Sequence, residues 1–454
     1  SRIKDAVTWF NPQVFRKNDI RGRSEQDLTP KLIGAVGQAY GTRVAHNGGK
    51  SVVVGRDCRL SGERIQHDFV SGVRAAGIDV IDLGVVPTPL VYYALHTNTV
   101  DGGVVITGSH NPSDWNGLKL CLGKSSMYGE QIQTLRRSVE GQIFSLGSGS
   151  LSALNVEADY ITDMLQRLRP MRRKIKVVID GGNGTAGLIA AQLLRQMGCD
   201  VIELYCQPDG HFPNHHPDPT IPENLVDLRQ EVIESKADLG IAFDGDGDRI
   251  GAMDETGEII WGDQLLTLFG LQVAQEHPQA RIIGEVKCSR VMYDTLRNAG
   301  AQVDMWKVGH SFIKARMKET GALLAGEMSG HLFFGDRGYG YDDAIYAAAR
   351  LCELIGRDSL SLADRIGELP KMYATPELRV ECADEKKFVI SAQAADDFSH
   401  KYDVCRIDGV RIEFEHGWGL LRASNTQPAL VLRFEAETPS LRDAYREEVE
   451  TWIQ

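Results

Sequence analysis

No apolar run in the chain approaches the ~18–20 residues that a helix needs to cross a membrane, and the N-terminus lacks a signal-peptide pattern. Basic residues are in deficit, with 50 Lys and Arg against 62 Asp and Glu, a net charge of −12. That balance speaks against nonspecific binding to nucleic acid or anionic membranes, and an anionic substrate would need a local basic pocket. Eight cysteines are scattered from Cys58 to Cys405 with no CxxC pair, a pattern of reduced thiols in a cytoplasm rather than of a disulfide framework or structural zinc. Disorder, collagen and a coiled coil are excluded by a composition that is 42% hydrophobic and 25% charged. The expectation is a soluble, cytoplasmic globular protein with about three domains, or four small ones.

Short apolar runs alternate with helical patterns along most of the chain. Strands are expected at Ser51–Val54, Gly103–Ile106, Lys176–Ile179, Leu239–Phe243 and Arg281–Ile283, with helices such as Leu188–Met197 and Leu225–Ser235 between them. This alternation predicts α/β layers. SLGSGSLS at Ser145–Ser152 reads as a linker, with further breaks at Asp254–Gly257 and near Pro370–Pro376. The final stretch, closing on a helical Leu441–Ile453, reads as a separate α+β unit. Three apolar strands run into polar, Gly-containing loops: GGVVITGSHNP, LGIAFDGDGDR and ALLAGEMSGH. Ligands bind outside the carboxyl ends of strands in open α/β sheets, so the three loops read as walls of one site.

Within Thr107–Pro112, a serine in a glycine-containing turn suits a nucleophile or phosphoryl carrier, although all these residues also form plain turns. Asp244, Asp246 and Asp248, spaced by glycines, can converge on one hard divalent cation, Mg²⁺ or Ca²⁺. An EF-hand would place Glu255 correctly but has Arg249 where it needs glycine. A haloacid dehalogenase loop would need Thr or Val at Asp248. Gly182–Gly187 matches the dinucleotide pattern GxGxxG, yet Glu203 falls inside the next strand instead of at its end. GGKS at 48–51 and GKS at 123–125 lack the leading glycine of a P-loop. Glu327, Ser329 and His331 suit polyol recognition or proton transfer. Arg422, Ser424, Asn425 and Thr426 supply the donors that a phosphate dianion collects. His211, His215 and His216, in a proline-stiffened loop, remain unassigned.

Together these loops supply a serine, a divalent-metal site, a hydroxyl-reading loop and a phosphate clamp, the parts of phosphoryl transfer to and from a sugar phosphate. TGSHNP, DGDGDR, GEMSGH and RASNT, in this order, resemble the α-D-phosphohexomutase superfamily, and the GEMSGH form is similar to its bacterial phosphomannomutase/phosphoglucomutase branch. The likeness runs from about Phe15 to the C-terminus. It implies three related mixed α/β domains plus a C-terminal α+β domain of TATA-binding-protein-like fold around a central cleft. The corresponding boundaries are 1–150 (phosphoserine loop), 151–255 (metal loop), 256–369 (sugar loop) and 370–454 (phosphate loop).

The resemblance further implies that Ser109 is the phosphoserine of the resting enzyme. It would exchange its phosphoryl group with O1 or O6 of mannose or glucose phosphates through a hexose 1,6-bisphosphate, which also serves as activator. Mg²⁺ would sit on Asp244, Asp246, Asp248 and the Ser109 phosphate. Substrate contacts carried over are Asn18, Arg249, Lys287, His310, Glu327, Ser329, His331, Arg422, Ser424, Asn425 and Thr426. Arg21, Lys119 and His331 are candidates for assisting proton transfer. One departure is NDIRG at 18–22, where relatives of this kind usually read YDIRG, so Asn18 stands in place of an aromatic wall. The chain is expected to act as a monomer. Competing readings are a phosphoglucosamine mutase, a non-catalytic sugar-phosphate sensor, and an NAD-dependent oxidoreductase resting on Gly182–Gly187 alone.

Overall fold

The computed structural model describes residues 9–454; residues 1–8, which begin the expected first domain and bear on the signal-peptide reading, lie outside it. The chain forms two compact units. One runs to Ile260 and takes in Ser329–Ala363, and the other combines Trp261–Met328 with Asp364–Gln454.

The first unit holds two α/β layers. In the first sheet the strands run in the order Ile20–Arg23, Trp115–Leu122, Gly102–Ile106, Ser51–Arg56, Asp79–Val85 and Leu151–Ala153. Its middle is parallel and buried on both faces, which is why Val52–Val54 and Val104–Ile106 read as continuous apolar runs. Pairing of Gly102–Ile106 with Trp115–Leu122 is antiparallel, so the chain leaves the sheet at Ile106, turns through the serine loop and returns at once. The second sheet orders Ile259–Ile260, Ile250–Asp254, Leu239–Phe243, Lys176–Asp180 and Asp200–Leu204. Leu239–Phe243 is buried throughout, and it delivers the aspartate loop from its carboxyl end. Asp254–Gly257, read as a break, is the turn of the hairpin that joins Ile250–Asp254 to Ile259–Ile260.

The second unit contains a parallel array of Gln302–Trp306, Arg281–Glu285 and Leu324–Gly326. It also contains an antiparallel sheet ordered Tyr373–Ala374, Ala429–Ala436, Gly417–Ala423, Val410–Phe414 and Asp403–Cys405, with Leu378–Glu381 added to Ala429–Ala436. Helices Asp384–Ser399 and Pro439–Ile453 contribute Phe398 and Val449 to the apolar core of that sheet, opposite Ile412, Leu421 and Phe434. This is the α+β unit expected at the C-terminus.

The segment read as a linker, Ser145–Ser152, is docked against the first sheet rather than free. Gly147 and Gly149 donate to Ala75 O and Arg74 O, Ser150 O accepts from Val80 N–H, and Leu151–Ala153 pairs in parallel with Asp79–Val85. A Cβ on Gly149 would lie 1.9 Å from Ile78 O. Its glycines permit close approach to the sheet edge, and in composition they cannot be told from those of a flexible tether. All eight cysteines are free, and among the described residues no helix is long and apolar enough to cross a membrane.

Candidate active site

The first unit brings the serine loop and the aspartate loop together. Ser109 is buried and left-handed, with φ 54°. Its N–H donates to Thr107 Oγ1 at 2.9 Å, and its Oγ donates to Asp244 Oδ2 at 3.0 Å. The approach depends on Gly245, where a Cβ would lie 2.3 Å from Ser109 O. The GxGxxG segment supports the same loop from behind. Thr185 donates to Gly245 O from both N–H and Oγ1, each at 3.1 Å, and a Cβ on Gly184 would be 2.6 Å from Gly245 O. Those glycines serve loop packing, and Glu203 is paired with Arg195 at 2.8 Å, so the dinucleotide reading loses its support.

Asp244, Asp246 and Asp248 are all buried, with one oxygen from each lying within 4.8 Å of the others. Lys119, brought in by Trp115–Leu122, donates Nζ–H to Asp246 Oδ2 at 2.6 Å and to Asp248 Oδ2 at 2.5 Å, while Thr88 Oγ1 donates to Asp246 Oδ2 at 2.5 Å. Oδ1 of Asp246 and Oδ1 of Asp248 are buried with no hydrogen-bond partner. Three enclosed carboxylates against one ammonium, with two oxygens left open, fit a hard divalent cation. Glu255 accepts from Ala363 N–H at 2.9 Å, away from this loop, so the EF-hand reading falls.

Charge is partitioned unevenly in this cluster. Burial, then the charges of Asp246 and Asp248, push Asp244 well above the usual carboxylate range. Burial acts on Asp248 in the same sense, but the Lys119 ammonium and His331 outweigh it and hold Asp248 low. Burial opposes the Lys119 charge as well, and Asp246, Asp248 and Asp244 overcome it, so Lys119 stays protonated. His110 is driven well below its ordinary range by burial and by the positive charges of Arg249, Arg21 and Lys119. Its neutral ring places Nδ1 3.3 Å from Ser109 Oγ.

The remaining candidates of this unit stand close by. Arg21 donates to Asn111 Oδ1 at 2.8 Å and pairs with Asp19 at 2.6 Å. Asn18, just before it, keeps a buried Oδ1 without a partner. Arg249 donates its N–H to Asp244 Oδ1 and Nε–H to Ser329 O, at 3.2 and 3.0 Å. His331 Nδ1 lies 3.0 Å from Asp342 Oδ2, and Asp248, His331 and Asp342 form a second group of closely spaced potential ligands. These two are the groups of this kind among the described residues, so His211, His215 and His216 do not make one. His215 is held by Asp180 at 2.8 Å.

The second unit carries the other candidates. Glu327 Oε2 accepts from Gly309 N–H at 2.8 Å, at the start of the helix His310–Thr320. Arg422, at the end of Gly417–Ala423, makes a two-pronged contact with Asp408, Nε and Nη2 donating at 3.1 and 3.2 Å. Ser424 Oγ accepts from Thr426 N–H and Gln427 N–H, which shapes a turn whose Asn425 and Thr426 are exposed. Lys287 lies 3.4 Å from Glu377, which burial would raise but Lys287, Arg379 and Arg422 hold low. Sequence reasoning gave no role to His110, Asp342, Asp408 or Arg59. His110 sat inside a motif already singled out; Asp342 and Asp408 are single polar residues outside any motif, and Arg59 meets Ser109, 50 residues along the chain.

Four family models match consecutive stretches of the chain: phosphoglucomutase/phosphomannomutase alpha/beta/alpha domain I over residues 12–145, domain II over 158–257, domain III over 261–373, and the C-terminal domain over 377–451. A phosphomannomutase/phosphoglucomutase of Pseudomonas aeruginosa is 46% identical over 94% of this chain and 92% of its own length. A phosphoglucomutase of Neisseria gonorrhoeae is 41% identical over 94% and 93%. The crystal structure of a phosphoglucomutase/phosphomannomutase family protein from Burkholderia thailandensis superposes with a TM-score of 0.93, at 41% identity over 97% of each chain.

Proposed function

The chain belongs to the phosphoglucomutase/phosphomannomutase family of the α-D-phosphohexomutase superfamily, and from that premise we propose that it is a hexose phosphate mutase that moves a phosphoryl group between O1 and O6 of glucose and mannose phosphates. It is an isomerase acting on sugar phosphates and using a divalent metal. The observation that carries the reading is Ser109 Oγ held 3.0 Å from Asp244 beside two further buried carboxylates and Lys119.

In this reading the resting chain carries the phosphoryl group on Ser109. Asp244, Asp246 and Asp248 would hold Mg²⁺, with the phosphoserine as a further oxygen ligand. When bound, the cation supplies positive charge that neutralises the transferring phosphoryl group. Lys119, kept protonated by the aspartates, steadies the same charge as the bond to Ser109 Oγ breaks. In this reading the sugar hydroxyl that accepts the phosphoryl group gives up its proton to His331, which is oriented by Asp342 and acts as the neutral imidazole. The bisphosphate reorients, and its other phosphoryl group returns to Ser109, so serine and phosphate content balance over the cycle. Glu327 and Ser329 read sugar hydroxyls. Arg422, Ser424, Asn425 and Thr426 would hold the phosphate that is not reacting, with Asp408 fixing the Arg422 fork. Residues 1–150, 151–255, 256–369 and 370–454 carry the serine, metal, sugar and phosphate loops respectively.

The test is ³¹P NMR of the chain with Mg²⁺, a trace of glucose 1,6-bisphosphate, and glucose 1-phosphate or mannose 1-phosphate. Conversion to the 6-phosphate, lost in Ser109→Ala, is the expected result, and the two initial rates give the sugar preference. No conversion of either sugar would contradict the reading.

A further inference from the structure

Arg59 is an enclosed guanidinium that the proposed chemistry does not use; the residue is 3% exposed. It follows the strand Ser51–Arg56 and lies directly under the serine loop. Nη1 donates to Pro112 O at 2.5 Å and to Trp115 O at 3.0 Å, and Nη2 donates to Ser109 O at 3.0 Å and Asn111 O at 2.8 Å. Nε donates to Asp57 Oδ2 at 3.1 Å. That same carboxylate oxygen accepts from Thr107 Oγ1 at 2.7 Å and from Gly108 N–H at 3.3 Å, and Thr107 Oγ1 accepts the Ser109 N–H. The Asp57–Arg59 pair thus binds both ends of the loop, with the Phe212 ring 5.0 Å from the guanidinium carbon.

A loop of Thr, Gly, Ser, His, Asn and Pro forms no helix or strand of its own, so its carbonyls need external donors. Ser109 adopts a left-handed φ of 54°, which a residue with a Cβ keeps only where its surroundings impose it. The planar fork of arginine can serve four carbonyls at fixed angles; a lysine ammonium in the same place cannot. From this geometry, and resting on the reading of Ser109 as phosphoryl carrier, we infer that Arg59 is a positioning residue. It holds Ser109 in the conformation from which Oγ reaches Asp244 and exchanges the phosphoryl group. It makes no contact with the residues proposed to grip the sugar or the distal phosphate, so its loss acts on turnover and leaves substrate binding alone.

The experiment compares Arg59→Lys and Gly108→Ala with the wild-type chain. The alanine Cβ would meet the guanidinium at 2.5 Å, so that variant displaces the loop while keeping both the arginine charge and the serine. Steady-state kinetics with glucose 1-phosphate and the rate at which glucose 1,6-bisphosphate loads phosphate onto Ser109 are measured on each. Both variants are expected to lose about 100-fold in kcat and in loading rate while KM stays within about twofold. Wild-type kcat or loading in folded Arg59→Lys would overturn the inference, as would an effect confined to KM. If Arg59→Lys does not fold, Gly108→Ala decides by the same two readouts. A wild-type chain that never carries phosphate on Ser109 removes the underlying reading and this inference with it, whereas an active wild type with an undiminished variant counts against Arg59 alone.

Discussion

Asp246 and Asp248 each bury one carboxylate oxygen that no donor meets, next to an ammonium that serves their other oxygens. Groups left in that state are costly unless a ligand completes them, so the cluster is built around a cation it binds in use. Asp246→Asn is expected to lower kcat by at least about 100-fold and to weaken Mg²⁺ binding measured by calorimetry, because the amide offers less charge. Unchanged Mg²⁺ affinity would remove Asp246 from the ligand set. Asn18 makes a different case. Restoring the aromatic usual at this position, Asn18→Tyr, is expected to lower KM by about 2–10-fold through ring contact with substrate, with kcat retained. An unchanged or raised KM would show that Asn18 does not border the sugar. At this scale the sequence was informative where chemistry and glycine coincide, as in DGDGDR. It was silent on Arg59 and Asp408, whose partners at 109–115 and 422 only the fold brings near.

Elements were legible where burial makes them continuous. The strand expected at Leu239–Phe243 forms over those residues, and the one expected at Lys176–Ile179 extends by one. The docked segment at 145–153 was not legible, because glycines required for contact look like glycines required for freedom. Gly149→Ala is therefore expected to destabilise the fold by about 1–3 kcal/mol in denaturant unfolding, where a tether would tolerate it. The strand Arg281–Glu285 ends on a buried carboxyl whose pKa burial and the charge of Glu327 raise from 4.5 to about 7. The folded state thus binds this proton more tightly than the unfolded chain does. Its contribution is fully present below about pH 4.5 and is lost as pH rises through about 7, on the order of 3–4 kcal/mol at about 1.4 kcal/mol per unit. Glu285→Gln is expected to gain stability over wild type progressively from pH 5 to pH 8 in urea midpoints. A constant difference across that range would contradict the raised pKa.

For the whole molecule, a net charge of −12 and an anionic substrate are reconciled by where the cations sit. Arg21, Lys119 and Arg249 gather around the serine loop in one unit, and Lys287 and Arg422 act on Glu377 in the other. The order of four loops along the chain gave the family before any coordinate did. Their geometry could not be read in advance, since it depends on Gly245 and Gly184 letting two loops of one unit touch. The central claim is that Ser109 carries the phosphoryl group. It is tested most directly by phosphopeptide mapping of the purified chain before and after addition of excess glucose 6-phosphate with Mg²⁺. The account predicts phosphate on the Ser109 peptide that passes stoichiometrically to the sugar as bisphosphate. Isomerisation that proceeds with no phosphate on Ser109, or with phosphate on another residue, would contradict it.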